Sequence, residues 1–186
     1  MSSEFTLSTA RLRLRQWREA DLAPFAALNG DPRVMEHFVK CLSRTESDAF
    51  AREIMEHYRE HGFCFWAVEL RETSQLIGLA GLGVATFAAH FTPCVEIGWR
   101  LAYDYWNRGY ATEAARAALD DGFRRCGLDE IVAFASLTNT RSHQVMERLG
   151  MTRSSRDDFD HPNKPAGHRL QRHLLYRISR ANWRPT

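Results

Sequence analysis

The sequence predicts an α/β fold on a mixed sheet, and three observations predict it. Segments of period-2 and period-3.6 hydrophobicity follow one another as one strand, helices, three strands, a helix, a strand, a helix and two strands. The run Ile131-Val132-Ala133-Phe134-Ala135 is apolar throughout, the mark of a central strand covered on both faces. Gly109 to Arg125 carries Ala111, Ala114, Ala115, Ala118, Leu119 and Phe123, a small-residue helix face that can lie close on a sheet.

Each element follows from its local pattern. Leu12-Arg13-Leu14-Arg15-Gln16-Trp17 alternates apolar and polar residues and reads as a half-buried strand. Asp21 is placed to cap a short helix through Leu28, and Asp31-Pro32 puts proline at the first position of a second one. Thr45-Glu46-Ser47-Asp48 opens a longer helix with a threonine cap and an acid three residues on, a loose capping box. Phe50, Ile54 and Tyr58 recur at helical spacing to about His61, and Gly62 ends the helix. Phe63 to Val68 is a strand whose aromatic residues read as core. Glu72-Thr73-Ser74 is a turn, and Gln75 to about Val84 pairs back as a hairpin. Val95 to Leu101 is the fourth strand. The helix from Gly109 to Arg125 stops at Gly127, Ile131 to Ala135 is the fifth strand, and Asn139 to Leu149 is a helix stopped by Gly150. Strands near Met151–Ser155 and His168–Arg177 close the chain around a polar loop, Asp157 to Gly167. The expectation is seven strands in a single domain over residues 1–186.

Composition narrows the function classes. Hydrophobic residues are 44% and charged residues 26% of 186, an ordinary globular mix. No apolar stretch approaches the roughly 18 residues of a membrane span. Met1 to Trp17 is polar and arginine-studded, unlike a signal peptide. A soluble cytoplasmic protein without a membrane partner is therefore expected. The net charge of +2, from 25 basic and 23 acidic residues, implies no polyanion field. Basic and aromatic residues do not interleave, so no nucleic-acid partner is expected. Cys41, Cys64, Cys94 and Cys126 form no C-x-x-C pair and read as free thiols. His161, His168 and His173 lack metal-ligand spacing, so no metal is expected.

The most informative segment runs from Glu96-Ile97-Gly98-Trp99-Arg100-Leu101 to Tyr105-Trp106-Asn107-Arg108-Gly109-Tyr110-Ala111-Thr112-Glu113-Ala114. A strand passes through a tight turn into a helix that starts at a glycine. The first N–H groups of a helix have no internal partner and sit at its positive end. Gly109 permits close backbone approach, Ala111 adds almost no bulk, and Arg108 adds a cation. The segment reads either as a cradle for phosphate or pyrophosphate or as a sharp strand–helix turn. It matches neither the P-loop nor the full dinucleotide fingerprint, which disfavours nucleotide triphosphate hydrolysis and dinucleotide binding.

Trp106-Asn107-Arg108-Gly109-Tyr110-Ala111 resembles the Q/R-x-x-G-x-G/A acyl-CoA motif of the GNAT superfamily of N-acetyltransferases. The run from Glu96 to Ala114 is similar to its ribosomal-protein N-terminal acetyltransferase, RimJ/RimL-like, branch. Leu7 to Arg15 resembles that branch's first strand, and Asn139-Thr140-Arg141-Ser142 with Glu147-Arg148-Leu149-Gly150-Met151 resembles its N-x-x-S…K-L-G-F segment. Trp106 stands where the wider superfamily has Gln or Arg.

The resemblance implies a mostly antiparallel seven-stranded sheet with helices on both faces, splayed between the fourth and fifth strands. It implies acetyl-CoA as donor, its pyrophosphate held by the N–H groups of Asn107, Arg108, Gly109, Tyr110, Ala111 and Thr112. The pantetheine would pair with the strand edge at Trp99, Arg100 and Leu101, where a backbone N–H would polarise the thioester. Asn139 would contact the pantetheine or hold the split open.

The acceptor would be a primary amine on a peptide or small molecule, and a base must take its proton. Glu96, beside the thioester, is the expected base; the alternative is a carboxylate paired to an arginine. Met146 stands where many members carry an acidic tyrosine, leaving Ser142 as substitute acid or as an ordinary helix-surface hydroxyl. Asp160 and His161, in the loop before the last strand, can meet a cationic amine or form a solvated loop. Direct transfer fits better than a covalent acyl-enzyme, because no nucleophile has a nearby His/Asp arrangement. A non-catalytic acyl-CoA sensor is the alternative function, and a homodimer is compatible with the sequence.

Overall fold

The computed structural model describes residues 5–185, so the outermost ends of the expected domain fall outside the described residues. The elements in order are β1 (Thr6–Ser8), β2 (Leu12–Arg15), α1 (Leu22–Gly30), α2 (Arg44–His61), β3 (Phe65–Leu70), β4 (Leu76–Ala85) and β5 (Cys94–Leu101). Then follow α3 (Tyr110–Arg124), β6 (Glu130–Ser136), α4 (Thr140–Arg148), β7 (Thr152–Arg153), β8 (Phe159–Asp160) and β9 (Arg172–Ser179). One sheet runs β1-β2-β3-β4-β5-β6-β9-β7, with β8 also on β9. Every pairing is antiparallel except β5 with β6.

The described residues form nine strands where seven are expected. Thr6–Ser8 folds back as a hairpin on β2, and Phe159–Asp160 pairs with β9 inside what reads as a polar loop. Phe159 is buried there among Phe87, Phe91 and Phe134. The short helix expected at Asp31-Pro32 is absent. The Asp31 carboxylate accepts from the Arg33 N–H at 2.9 Å, a local bond that competes with helix formation. The cap of α2 lies two residues earlier than expected, at Ser43. Its hydroxyl accepts from the Glu46 N–H at 3.3 Å, and the Glu46 carboxylate accepts from the Ser43 N–H at 2.8 Å, a complete capping box. Asp21 precedes α1 but its side chain does not cap that helix; its oxygens instead take the Arg15 guanidinium and the Arg18 N–H.

Side-chain alternation on β5 separates the two faces of the sheet. Ile97 clusters with Ala115, Ala118 and Leu119 of α3. Arg100, of opposite parity, turns to Phe50 of α2, so α2 and α3 cover opposite faces. On the α2 face, Phe65 lies over two strand glycines. A Cβ at Gly83 or Gly98 would come within 3.0 Å of its ring. These glycines open the floor of the cavity described next.

The parallel contact of β5 with β6 is a single pair, Glu96 with Val132, whereas β4 pairs with β5 from Cys94 to Leu101 and β6 with β9 from Glu130 to Ser136. Beyond Glu96 the two strands diverge, as a splayed sheet requires.

Candidate active site

The splay opens into a cavity of about 1080 Å³ that reaches from the start of α3 across β5 to the loop after β8. One end is the turn into α3. Gly109 caps that helix in a left-handed conformation, φ 79°, and Asn107 is left-handed as well, φ 59°. The Trp106 N–H donates to the Tyr103 carbonyl and the Glu113 N–H to Gly109. Between them, the six main-chain amides from Asn107 to Thr112 have no protein partner among the described residues. The turn is braced from outside. Arg11 donates to the Arg108 carbonyl at 2.9 Å, and Arg11 and Thr9 hold the Glu113 carboxylate. Unpaired amides at a helix N-terminus are a cradle for an anion.

The middle of the cavity is the edge of β5. Ala102 donates to the Ile77 carbonyl, and the β4–β5 register runs without a shift. Alternation then points the main-chain groups of Trp99 and Leu101 into the gap. The Leu101 carbonyl is taken by the Trp106 indole at 2.8 Å. Trp99 and the Leu101 N–H remain available to an extended ligand. On the far side of the gap, Asn139 caps α4 by accepting from the Ser142 N–H at 3.2 Å, and both residues line the cavity.

The other end lies on the α2 face and carries the titratable groups. The Glu96 carboxylate has no hydrogen bond or ion pair among the described residues, and burial pushes it up to about 7. That leaves Glu96 divided between its two protonation states near neutrality, the condition for efficient general base catalysis. His161 stacks on Phe87 with ring centres 4.4 Å apart. Burial, with His173 and Lys164 nearby, lowers it to about 4. Its Nδ1 accepts from the Asn163 N–H, so Nε2 carries the proton of the neutral ring. His37 and His173 are likewise lowered by burial.

The cavity thus brings together Glu96, Trp99, Arg100, Leu101, Asn107, Gly109, Tyr110, Ala111, Thr112, Asn139, Ser142 and His161. Two expected residues stand apart. The Arg108 side chain leaves the cavity and lies 5.8 Å from the Tyr105 ring. Asp160 is exposed and pairs with Arg172 at 3.3 Å, because β8 turns it to the outer side of the β8–β9 ladder. Sequence reasoning missed Phe65, read as core, along with Phe134, Ser136 and Lys164. It also missed the side-chain role of Arg100. Period-2 alternation could have found Glu96 and Arg100 on one face; which face holds the cavity is not a local property. Among the described residues no His/Cys/Asp/Glu group could hold a metal, and no helix is long and apolar enough to cross a membrane.

Comparison with known proteins agrees with this geometry. A family profile described as "Acetyltransferase (GNAT) domain" matches residues 11–152. The uncharacterized N-acetyltransferase YnaD of Bacillus subtilis (strain 168) is 30% identical over 177 residues, covering 95% of this chain and 98% of its own length. The uncharacterized protein YkkB of the same organism is 30% identical over 152 residues, 81% and 87% of the two chains. A crystal structure of a GNAT-family acetyltransferase from Bacillus anthracis superposes with TM-score 0.79 at 27% identity, covering 95% of this chain and 99% of that one.

Proposed function

This chain belongs to the GNAT acetyltransferase family and is an acetyltransferase; on that premise we propose that it moves the acetyl group of acetyl-CoA directly onto a primary amine. One observation carries the reading. Six amides without a partner among the described residues run from Asn107 to Thr112, and all of these residues but Arg108 line the same cavity as an unpaired Glu96. Bound acetyl-CoA supplies an acetyl group already activated as a thioester, with a thiolate as leaving group.

The amides of Asn107 to Thr112 hold the diphosphate. The Trp99 and Leu101 main chain receives the extended arm in the gap left by the splay, and the Trp99 N–H meets the oxygen on which negative charge develops. The Asn139 amide steadies the arm from the α4 side. Glu96 accepts the proton of the attacking amine, directly or through a water, and its raised pKa matches that task. The Ser142 hydroxyl has no hydrogen-bond partner among the described residues and donates to the departing sulfur. His161 meets the acceptor as a neutral Nε2–H donor, while Asp160, paired with Arg172 on β8, stays outside the cavity.

Cys94 does not serve as an acyl carrier. Burial and the neighbouring Glu96 push its thiol up to about 11, which keeps it protonated and unreactive. The acceptor is the α-amine of a peptide, as in the RimJ/RimL-like branch that the Glu96–Ala114 run resembles, or a small amine. Free cysteines at all four positions suit a reducing compartment and a cytoplasmic enzyme.

The test is release of free thiol from acetyl-CoA against a panel of primary amines. Glu96→Gln should lose turnover while keeping CoA affinity by calorimetry. Acetyl-CoA binding without turnover of any amine would favour the sensor reading; undiminished turnover by Glu96→Gln would remove Glu96 as base.

A further inference from the structure

Three residues that line the cavity each carry a buried polar atom with no hydrogen-bond partner among the described residues: Arg100 Nε, Ser136 Oγ and His37 Nδ1. A buried polar group left unpaired is costly, and more so when it is charged. Such groups in a cavity wall call for an explanation, and a ligand that brings the missing partner is one.

Arg100 is the most telling of the three. One of its terminal nitrogens donates to Asn29 Oδ1 at 2.6 Å. Its guanidinium lies 4.1 Å from the Phe38 ring centre and 5.4 Å from that of Phe50. Asn29 is itself fully buried and donates to Ser47 at 2.9 Å, so it is fixed. The fork is therefore held still by two rings and one amide. Nothing neutralises it, because no carboxylate lies within ion-pair distance among the described residues. Burial without a counter-charge lowers its pKa to about 10.

The surroundings repeat the pattern. Lys164 lines the same cavity, has no carboxylate partner among the described residues, and is lowered by burial alone. His37, His161 and His173 are held neutral. Among the described residues that line the cavity, Glu96 is the carboxylate at this end. A polycationic acceptor would meet two cations and a half-neutral acid.

Strand geometry sets the spacing. Glu96 and Arg100 lie on one face of β5, four residues apart, which is about 13 Å along a strand. Gly98 lies between them with the Phe65 ring over it. An acceptor whose amine reaches Glu96 therefore runs past an aromatic wall before it reaches Arg100.

We infer that the acceptor is a primary amine bearing a carboxylate at its far end, separated by an apolar spacer, and that the Arg100 fork binds this carboxylate. The inference rests on the acetyl-transfer reading of the same cavity and names the acceptor class for it. The terminal nitrogen of Arg100 that Asn29 leaves free donates a charge-assisted hydrogen bond to that carboxylate, while Nε lies behind it out of reach.

The experiment compares 6-aminohexanoate with 6-aminohexanamide, and 4-(aminomethyl)benzoate with its amide, as acceptors. The acid should be preferred at least tenfold in kcat/KM by the parent enzyme, through KM. Arg100→Met should bring the ratio towards one, and Arg100→Lys should restore part of it. A ratio near one in the parent overturns the inference, and that arm needs no folded variant. Calorimetry of 6-aminohexanoate with CoA present separates this inference from the one beneath it. Binding that Arg100→Met abolishes, with no transfer to either acceptor, would sustain the carboxylate site and count against acetyl transfer. Absence of binding, or equal binding by Arg100→Met, would overturn the site itself.

Discussion

Arg15 on β2 is buried and Arg100 on β5 half-buried in the cavity wall, and their surroundings differ in kind. Arg15 is 3% exposed. Its Nε donates to Glu69 at 2.7 Å, and its two terminal nitrogens donate to the Asp21 oxygens at 2.7 and 2.9 Å. Asp21 also receives the Arg18 N–H, and Glu69 also receives Arg13. The Arg15 pKa is driven upwards, chiefly by its bond to Asp21. Arg100 has one neutral amide and two aromatic rings, and its pKa is driven downwards. A buried charge closed on itself is structure. A buried charge left open, in a cavity, is a demand for a ligand.

Four substitutions break or sharpen that contrast. Glu96→Gln should have the largest effect, a fall of about 10²- to 10⁴-fold in kcat/KM, the usual worth of a positioned base. The parent should gain activity as pH rises through an apparent pKa near 7, because the base works deprotonated, and the variant should lose that limb. The folded carboxyl sits above its ordinary value of 4.5, so its burial destabilises the fold increasingly as pH climbs from 4.5 to 7. Glu96→Gln should therefore be the more stable protein above pH 7, by about 1–3 kcal/mol in urea titrations. The gain should vanish below pH 4.5.

Arg15→Met should follow, losing about 3–5 kcal/mol of stability because it strands two buried carboxylates. Chemical denaturation measures it, and a loss below about 1 kcal/mol would erase the contrast with Arg100. Arg100→Met should cost only about 1–2 kcal/mol, mostly the Asn29 oxygen left unpaired. Denaturation of the two variants side by side is the direct comparison. Cys94→Ala should change turnover least, by under about twofold, since a thiol held near 11 contributes no nucleophile.

Local pattern made most of the fold legible. The central run at Ile131–Ala135 became β6, and the small-residue face of α3 packs as read. Misreadings came where two local solutions compete. Ser43-x-x-Glu46 and Thr45-x-x-Asp48 are both plausible boxes two residues apart, and Glu46 also pairs with Lys40. Asp21 would cap a helix by local rule, but its oxygens instead take the Arg15 guanidinium and the Arg18 N–H. The extra strand β8 is invisible locally because two residues have no period; burial of Phe159 against Phe134 decides it.

The candidate site divides the same way. Gly109, Ala111 and the polar turn before them spell out a helix start with free amides, so the cradle could be read from residue types in sequence. Glu96, Arg100, Ser136 and Lys164 come from three segments, and their meaning depends on sharing one cavity.

The sequence by itself determined the order of strands and helices, the helix stops at glycine, and the amide-lined turn into α3. These depend on interactions within a few residues: hydrogen-bond periodicity, side-chain size and allowed φ. Tertiary structure alone decided that Arg15 would find two carboxylates while Arg100 found none, and that Glu96 would sit near neutrality. Charge and pKa depend on what lies across a gap, and chain-distant segments supply that only once the sheet has splayed and closed around it.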